Sequence, residues 1–155
     1  MRKALFIALG LVLLLVATGV GVRISKHGAY TSARHQPSAQ EAAHAMFVGF
    51  THAAEQINAG GPKMVDADTR LDRASAGPGA QLTYHYTFTT FNASDIDREY
   101  LLRTFRPRIV QSVCHDASML ASMTFGATYW YSYTSSDGLP VLDFKVTQFD
   151  CGLFA

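Results

Sequence analysis

The side chains able to do chemistry fall in a few short stretches of this 155-residue chain. The densest is Asp66-Ala-Asp-Thr-Arg-Leu-Asp72, three carboxylates around one guanidinium. Oxygen ligands at alternate positions suit a calcium loop, which also needs glycine at position six and a bidentate glutamate at position twelve. Leu71 and Gly77 occupy those positions, and Arg70 stands where the third ligand belongs. The run therefore reads as a solvated strand face. As a partner-binding face it would comprise Asp66, Asp68, Arg70 and Asp72, joined by His85 and Trp130 from later strands.

Histidine is the usual general base near neutral pH. A small hydrolase using His85 or His115, with Asp116 as the nearby carboxylate, is thus one function class to weigh. Against it, His85 alternates onto a threonine-rich outer face, and His115 adjoins Cys114. His44 and His52 lie eight residues apart on one helix, which is not the i, i+4 spacing of paired metal ligands. A zinc site from Cys114, His115 and Cys151 would require free thiols and a fourth ligand. No G-x-S-x-G, H-E-x-x-H or phosphate loop occurs. No catalytic, metal or cofactor residue is assigned. Cys114 and Cys151 are the only cysteines, an even pair that fits a disulfide in an oxidising compartment, with two buried free thiols as the alternative. If bonded, they contribute about 4 kcal/mol by restricting the unfolded chain.

The elements that position these groups follow from periodicity and caps. Ser38-Ala-Gln-Glu41 is a capping box. Ala42, Met46, Phe50, Ala53 and Ile57 then recur at helical spacing, with Phe47 and Ala54 widening the stripe, until Gly60-Gly-Pro62 ends the helix. From Met64 the period becomes two: Val65, Ala67, Thr69 and Leu71 on one side, the charged residues on the other. Ala76-Gly-Pro-Gly79 turns the chain into a second strand with Leu82, Tyr84, Tyr86 and Phe88 inward. Ser94 is the expected cap of a second helix, whose apolar side runs from Ile96 through Phe105 and Ile109 to Val113, with Pro107 kinking or breaking it. Arg98, Arg103, Arg106 and Arg108 make it basic, read as a solvated face. Asn92-Ala-Ser94 matches a glycosylation sequon, relevant only in a eukaryotic secretory host. A short helix through Met119 and Met123 precedes two strands, Thr128–Thr134 and Val141–Phe149, joined across Asp137-Gly138. Tyr129, Tyr131 and Tyr133 share one face with Trp130 on the other; Leu142, Phe144 and Val146 point inward. The expected fold is α+β, in the order α-β-β-α-β-β, with the helices packed on one face of an antiparallel sheet.

Residues 4–22 carry no charge and reach roughly 28 Å as a helix, about one hydrocarbon core. Residues 1–24 therefore read as a single transmembrane anchor, or as a signal cut near Ala17-Thr18-Gly19, and residues 25–37 as a polar tether. Residues 38–155 form the folded domain. Beyond residue 24, ten Lys and Arg face twelve Asp and Glu, which gives no electrostatic case for nucleic acid.

Together PKMVDADTRLD, the GPG turn, LTYHYTF and the closing DG…FKVTQFDC resemble a family of small bacterial secreted or membrane-anchored proteins. One branch of that family is labelled quorum-sensing-regulated virulence factor. The likeness spans roughly residues 38–152, and M-V-D-x-D-T-R-L-D is its most specific piece. It implies an exported α+β domain and supplies no catalytic residues. The leading expectation is a periplasmic interaction or accessory module without catalysis, held to the inner membrane by one span and bound to a protein partner of the envelope. The alternative is a released, secreted inhibitor or virulence-associated factor.

Overall fold

The computed structural model describes residues 38–153. The anchor or signal segment, the tether and the span they would form lie outside the described residues. Among the described residues no helix is long and apolar enough to cross a membrane.

Helix α1, Ala39–Ala59, starts where the sequence places it. The Ser38 hydroxyl accepts from the Glu41 amide while the Glu41 carboxylate accepts from the Ser38 amide, so two terminal donors are satisfied reciprocally. Phe50 and Ala54 are buried, Met46 and Ile57 pack beside them, and His44 and His52 face water. Five strands follow in the sheet order β1 (Lys63–Met64), β2 (Thr69–Gly77), β3 (Gln81–Phe88), β4 (Thr128–Thr134) and β5 (Pro140–Val146). Between β3 and β4 lie α2, Arg98–His115, and α3, Ala117–Met123.

The helices sit on one side of the sheet, but the sheet is mixed rather than antiparallel. β3 and β4 run parallel, with Tyr84 beside Tyr131 and Tyr86 beside Tyr133. The reason is the helical connection between them, which returns the chain to the end where β3 began; only the tight turns impose antiparallel pairing. The strand expected from Met64 is also interrupted. Asp66 Oδ1 accepts from the amides of Asp68 and Thr69 at 2.9 and 2.7 Å, and this side-chain turn separates β1 from β2. A bulge between Leu71 and Arg73 then shifts the register.

Three smaller expectations also change. Asp97, not Ser94, caps α2 by accepting from the Tyr100 amide at 3.0 Å. That helix runs on through Pro107, whose missing N–H would have reached the exposed Arg103 carbonyl, where water can serve. Strand β5 stops at Val146 because Thr147 and Asp150 form a capping box over a 3₁₀ turn, Gln148–Cys151.

The core lies between the sheet and the helices. Leu82, Phe88, Tyr129, Tyr131, Tyr133, Leu142, Phe144 and Val146 meet Phe50, Val113 and Met123. Leu142, Val146 and Met123 are almost wholly sealed, each worth about 1.5–3 kcal/mol in transfer free energy. Cys114, at the end of α2, is bonded to Cys151 in the 3₁₀ turn, with their Cα atoms 5.3 Å apart.

Candidate functional site: a tyrosine-floored cleft

Period-two placement on β3 and β4 lays four tyrosines side by side beneath the helices. Tyr84 stacks on Tyr131 with ring centroids 5.5 Å apart, and Tyr86 stacks on Tyr133 at 4.9 Å. Phe144 extends the array from Tyr131 at 5.3 Å, and Phe105 of α2 closes edge-on over Tyr133 at 5.5 Å. Offset stacking and edge-to-face contact are the favoured aromatic geometries, so the floor is rigid.

Above this floor a cavity of about 560 Å³ opens between the β1–β2 turn, α2 and the start of α3. Tyr86, Tyr131 and Tyr133 line it from below, Phe105 and Ile109 from the side, and Met119 at one end. A second cavity of about 370 Å³ shares Met119 and runs beneath α1, past Met46, Gly49 and Tyr84.

The hydroxyl groups give the cleft its polarity. Tyr129 is tied to Ser122 at 2.7 Å, whereas the hydroxyls of Tyr84, Tyr86, Tyr131 and Tyr133 have no hydrogen-bond partner among the described residues. None of them is sealed from solvent, so each can bond to water or to a bound molecule. Burial raises the phenol pKa of all four, so they stay neutral donors and acceptors at physiological pH. An apolar floor bearing neutral hydroxyls suits a guest that is itself mixed, such as a protein segment.

The residues singled out from the sequence separate into two groups. Asp66 and Asp68 belong to the turn beside the cleft, not to a strand face; Thr90 Oγ1 donates to Asp68 Oδ1 at 2.7 Å. Arg70, Asp72, His85 and Trp130 share the opposite, helix-free face of the sheet. There Arg70 Nε donates to Asp72 Oδ1 at 2.6 Å, Thr87 Oγ1 donates to Asp72 Oδ2, and Ser75 lies 2.9 Å from His85 Nε2. Burial, and after it the Arg73 charge, lowers the His85 pKa. The Lys145 ammonium stands 5.9 Å from the Trp130 ring centroid.

His115 and Asp116 do line the larger cavity, but their groups are already committed. His115 Nδ1 lies 2.7 Å from the Gln111 carbonyl, which can only accept, so Nδ1 carries the proton. Asp116 Oδ1 caps α3, accepting from Ser118 N, Ser118 Oγ and Met119 N, and these bonds, the Ser118 hydroxyl first, lower its pKa. No serine or carboxylate bonds to His115 among the described residues, and His85 is on the far side of the sheet. Among the described residues no cluster of His, Cys, Asp or Glu could hold a metal ion. The grid of tyrosines was visible only in halves in the sequence, because nothing local shows that β3 and β4 are neighbours.

The α+β fold is shared with solved structures of low sequence identity. No family model matches the sequence, and no curated protein matches it either. Among solved structures, a Pseudomonas aeruginosa protein described as secreted superposes with TM-score 0.60 at 20% identity, over 71% of this chain and 96% of that one. The type 2 secretion system pilotin EpsS of Vibrio vulnificus gives 0.59 at 20% identity, over 72% and 96%. The type II secretion system pilotin AspS of Vibrio cholerae gives 0.57 at 17% identity, over 74% and 100%. At such identities the likeness is one of fold.

Proposed function

We propose that this protein is a non-catalytic accessory module of the bacterial cell envelope, acting in the manner of a pilotin. Residues 4–22 direct it to the membrane, and the domain works on the extracytoplasmic side. The observation that carries the reading is the cleft and the cavity that shares Met119 with it: between them they hold four neutral tyrosine hydroxyls without protein partners among the described residues, on an apolar floor. Such a surface grips a segment of a partner protein through ring faces and hydrogen bonds together. Two further points support it. The fold is shared with secretion-system pilotins and a secreted protein. The Cys114–Cys151 bond belongs to an oxidising compartment.

The test is site-specific photocrosslinking in the native host at native expression. A photoreactive residue at Met119, which lines both cavities, is expected to trap one envelope protein. The same residue at Arg73, exposed on the helix-free face, is expected to trap none. A Cβ added at Gly49 would meet no atom within 4 Å, so Gly49→Trp sends its ring into the second cavity, beside Met119, and should reduce the Met119 adduct. Equal adducts from Met119 and Arg73 would refute the cleft as the binding site, and a Met119 adduct indifferent to Gly49→Trp would exclude the second cavity from it.

A further inference from the structure

A third cavity, of about 480 Å³, lies on the other side of the β1–β2 turn and shares Asp66 and Thr69 with the cleft. Its volume is within the usual range for binding pockets, about 300–1,000 Å³. Its walls are apolar and open: Phe91 is 43% exposed and Tyr100 57%. Exposed apolar surface rimmed by polar groups marks interaction sites on soluble domains. Here the rim has one sign of charge. Asp66, Asp68, Asp95 and Asp97 all line the pocket, brought there by the β1–β2 turn and the segment leading into α2.

None of the four carboxylates forms a salt bridge among the described residues, where the ion pairs are Arg70–Asp72, Arg103–Glu99 and Arg106–Asp150. Their hydrogen bonds engage one carboxylate oxygen each. Asp66 holds its turn, Asp68 receives Thr90, Asp95 receives Ser94 and Asp97 caps α2. Four carboxylates around one apolar hollow give its rim a single sign of charge, which favours a cation there.

We infer that this pocket binds a partner segment in which an aliphatic or aromatic anchor is flanked by lysine or arginine. The anchor covers Phe91 and Tyr100, and the cations meet the aspartates. The inference rests on the reading of the domain as a binding module and names a second anchoring point next to the cleft, with its own chemistry.

Two fluorescent peptides probe it, one alternating leucine with lysine and its counterpart with glutamine for lysine, titrated onto the full-length protein in detergent. The lysine peptide is expected to bind about tenfold more tightly at low salt, the size given by two or three exposed ion pairs. The gap should close at high salt. Asp66→Asn, Asp68→Asn, Asp95→Asn and Asp97→Asn together should remove it as well. Asparagine keeps one acceptor oxygen, which is all that each of these bonds uses, and caps a helix as well as aspartate does, so the fold persists. Phe91→Ala should weaken both peptides. Gly49→Trp should leave both unchanged, so loss of the cleft interaction and loss of this one are separable. Equal affinity for the two peptides, or no effect of the asparagine variant, overturns the inference. So does binding that emerges only when Arg23, Lys26 and Arg34 are changed to Gln, since the chain's own basic segment would then be the occupant. Self-association abolished by the asparagine variant would assign the pocket to a second copy and overturn it too.

Discussion

Asn58 offers the sharpest test of how this domain closes its sheet. β1 pairs with β2 only at Arg70 and Leu71, so beyond them one edge of β2 has no strand neighbour. At Ala74 the side chain of Asn58, from the end of α1, takes a strand's place. Its Nδ2 donates to the Ala74 carbonyl at 3.0 Å, and its Oδ1 accepts from the Ala74 amide at 2.7 Å. Ala74 is 2% exposed, so neither group has an easy alternative partner in water. Asn58→Ala strands one buried donor and one buried acceptor, each costing about 1–3 kcal/mol, for an expected loss of about 2–6 kcal/mol. That is a large share of a typical total of about 5–15 kcal/mol. Urea unfolding followed by the fluorescence of the single Trp130 should show the midpoint falling by about 1–3 M. Asn58→Asp is the informative partner. It keeps an acceptor for the amide but sets a carboxylate against the Ala74 carbonyl, so it should lose nearly as much at neutral pH and recover partly once protonated. If Asn58→Ala stays within about 0.5 kcal/mol of the parent, the size of an ordinary surface substitution, the edge is served by water and the reasoning fails.

Other measurements reach the remaining parts of the structure. The disulfide joins residues separated by 37 positions, so reducing it should cost about 4 kcal/mol and lower the thermal midpoint by about 10–20 °C. Replacing both cysteines by alanine should cost more, because Cys151 Sγ also packs 3.9 Å from the buried Met123 Sδ; a loss under about 5 °C on reduction would contradict the chain-entropy account. Burial, then the Arg73 charge, should place the His85 titration midpoint below the ordinary value near 6.5 in NMR, and Arg73→Gln should move it upward. A histidine depressed in the folded state loses stability as pH falls from about 6.5 toward its folded pKa. Asp116 and Asp137 are held low by hydrogen bonds from Ser118 and Ser135. Asp150 is held low despite its partial burial, by Thr147 and Arg106. Their stabilisation is full above about pH 4 and is lost as pH falls through their depressed values. The thermal midpoint should therefore decline steadily on acidification, and a midpoint that rises between pH 6 and 3 would contradict this.

The sequence shows its elements wherever a single local rule decides the outcome. The Ser38 box opens α1, and the alternation of Leu82, Tyr84, Tyr86 and Phe88, then of Tyr129, Tyr131 and Tyr133, gives the buried face of β3 and β4. Sequence and structure part where two local rules compete. Val65, Ala67 and Thr69 alternate as a strand would, yet Asp66 can bond its own backbone and wins, because a two-residue strand gains little from pairing. Ser94 and Asp97 are both good caps, and the bonding of Asp97 to Tyr100 N sets the start of α2. The face expected from Asp66, Asp68, Arg70, Asp72, His85 and Trp130 was divided by the same turn. Its first two members went to the acidic pocket and the rest to the open sheet.

The cleft depends on a pairing that no local pattern contains. A parallel register sets Tyr84 against Tyr131 and Tyr86 against Tyr133, so two strands distant in sequence make one grid. Side chains alternate with period two, so a slip of one residue would bring Thr83, His85 and Thr87 under the helices and send the tyrosines into water. The grid is therefore specified by the hydrophobic demand of α1 and α2 above it, through Phe50 and Phe105, which touch Tyr129 and Tyr133. Fold and site are selected by the same contacts. The cleft is the length of that grid which the helices leave uncovered, and its hydroxyls are what tyrosine offers there and phenylalanine would not. Changing Tyr84 and Tyr86 to phenylalanine should accordingly preserve the fold while weakening capture of the partner at Met119 in the crosslinking assay. Undiminished capture would show that the ring faces alone do the holding.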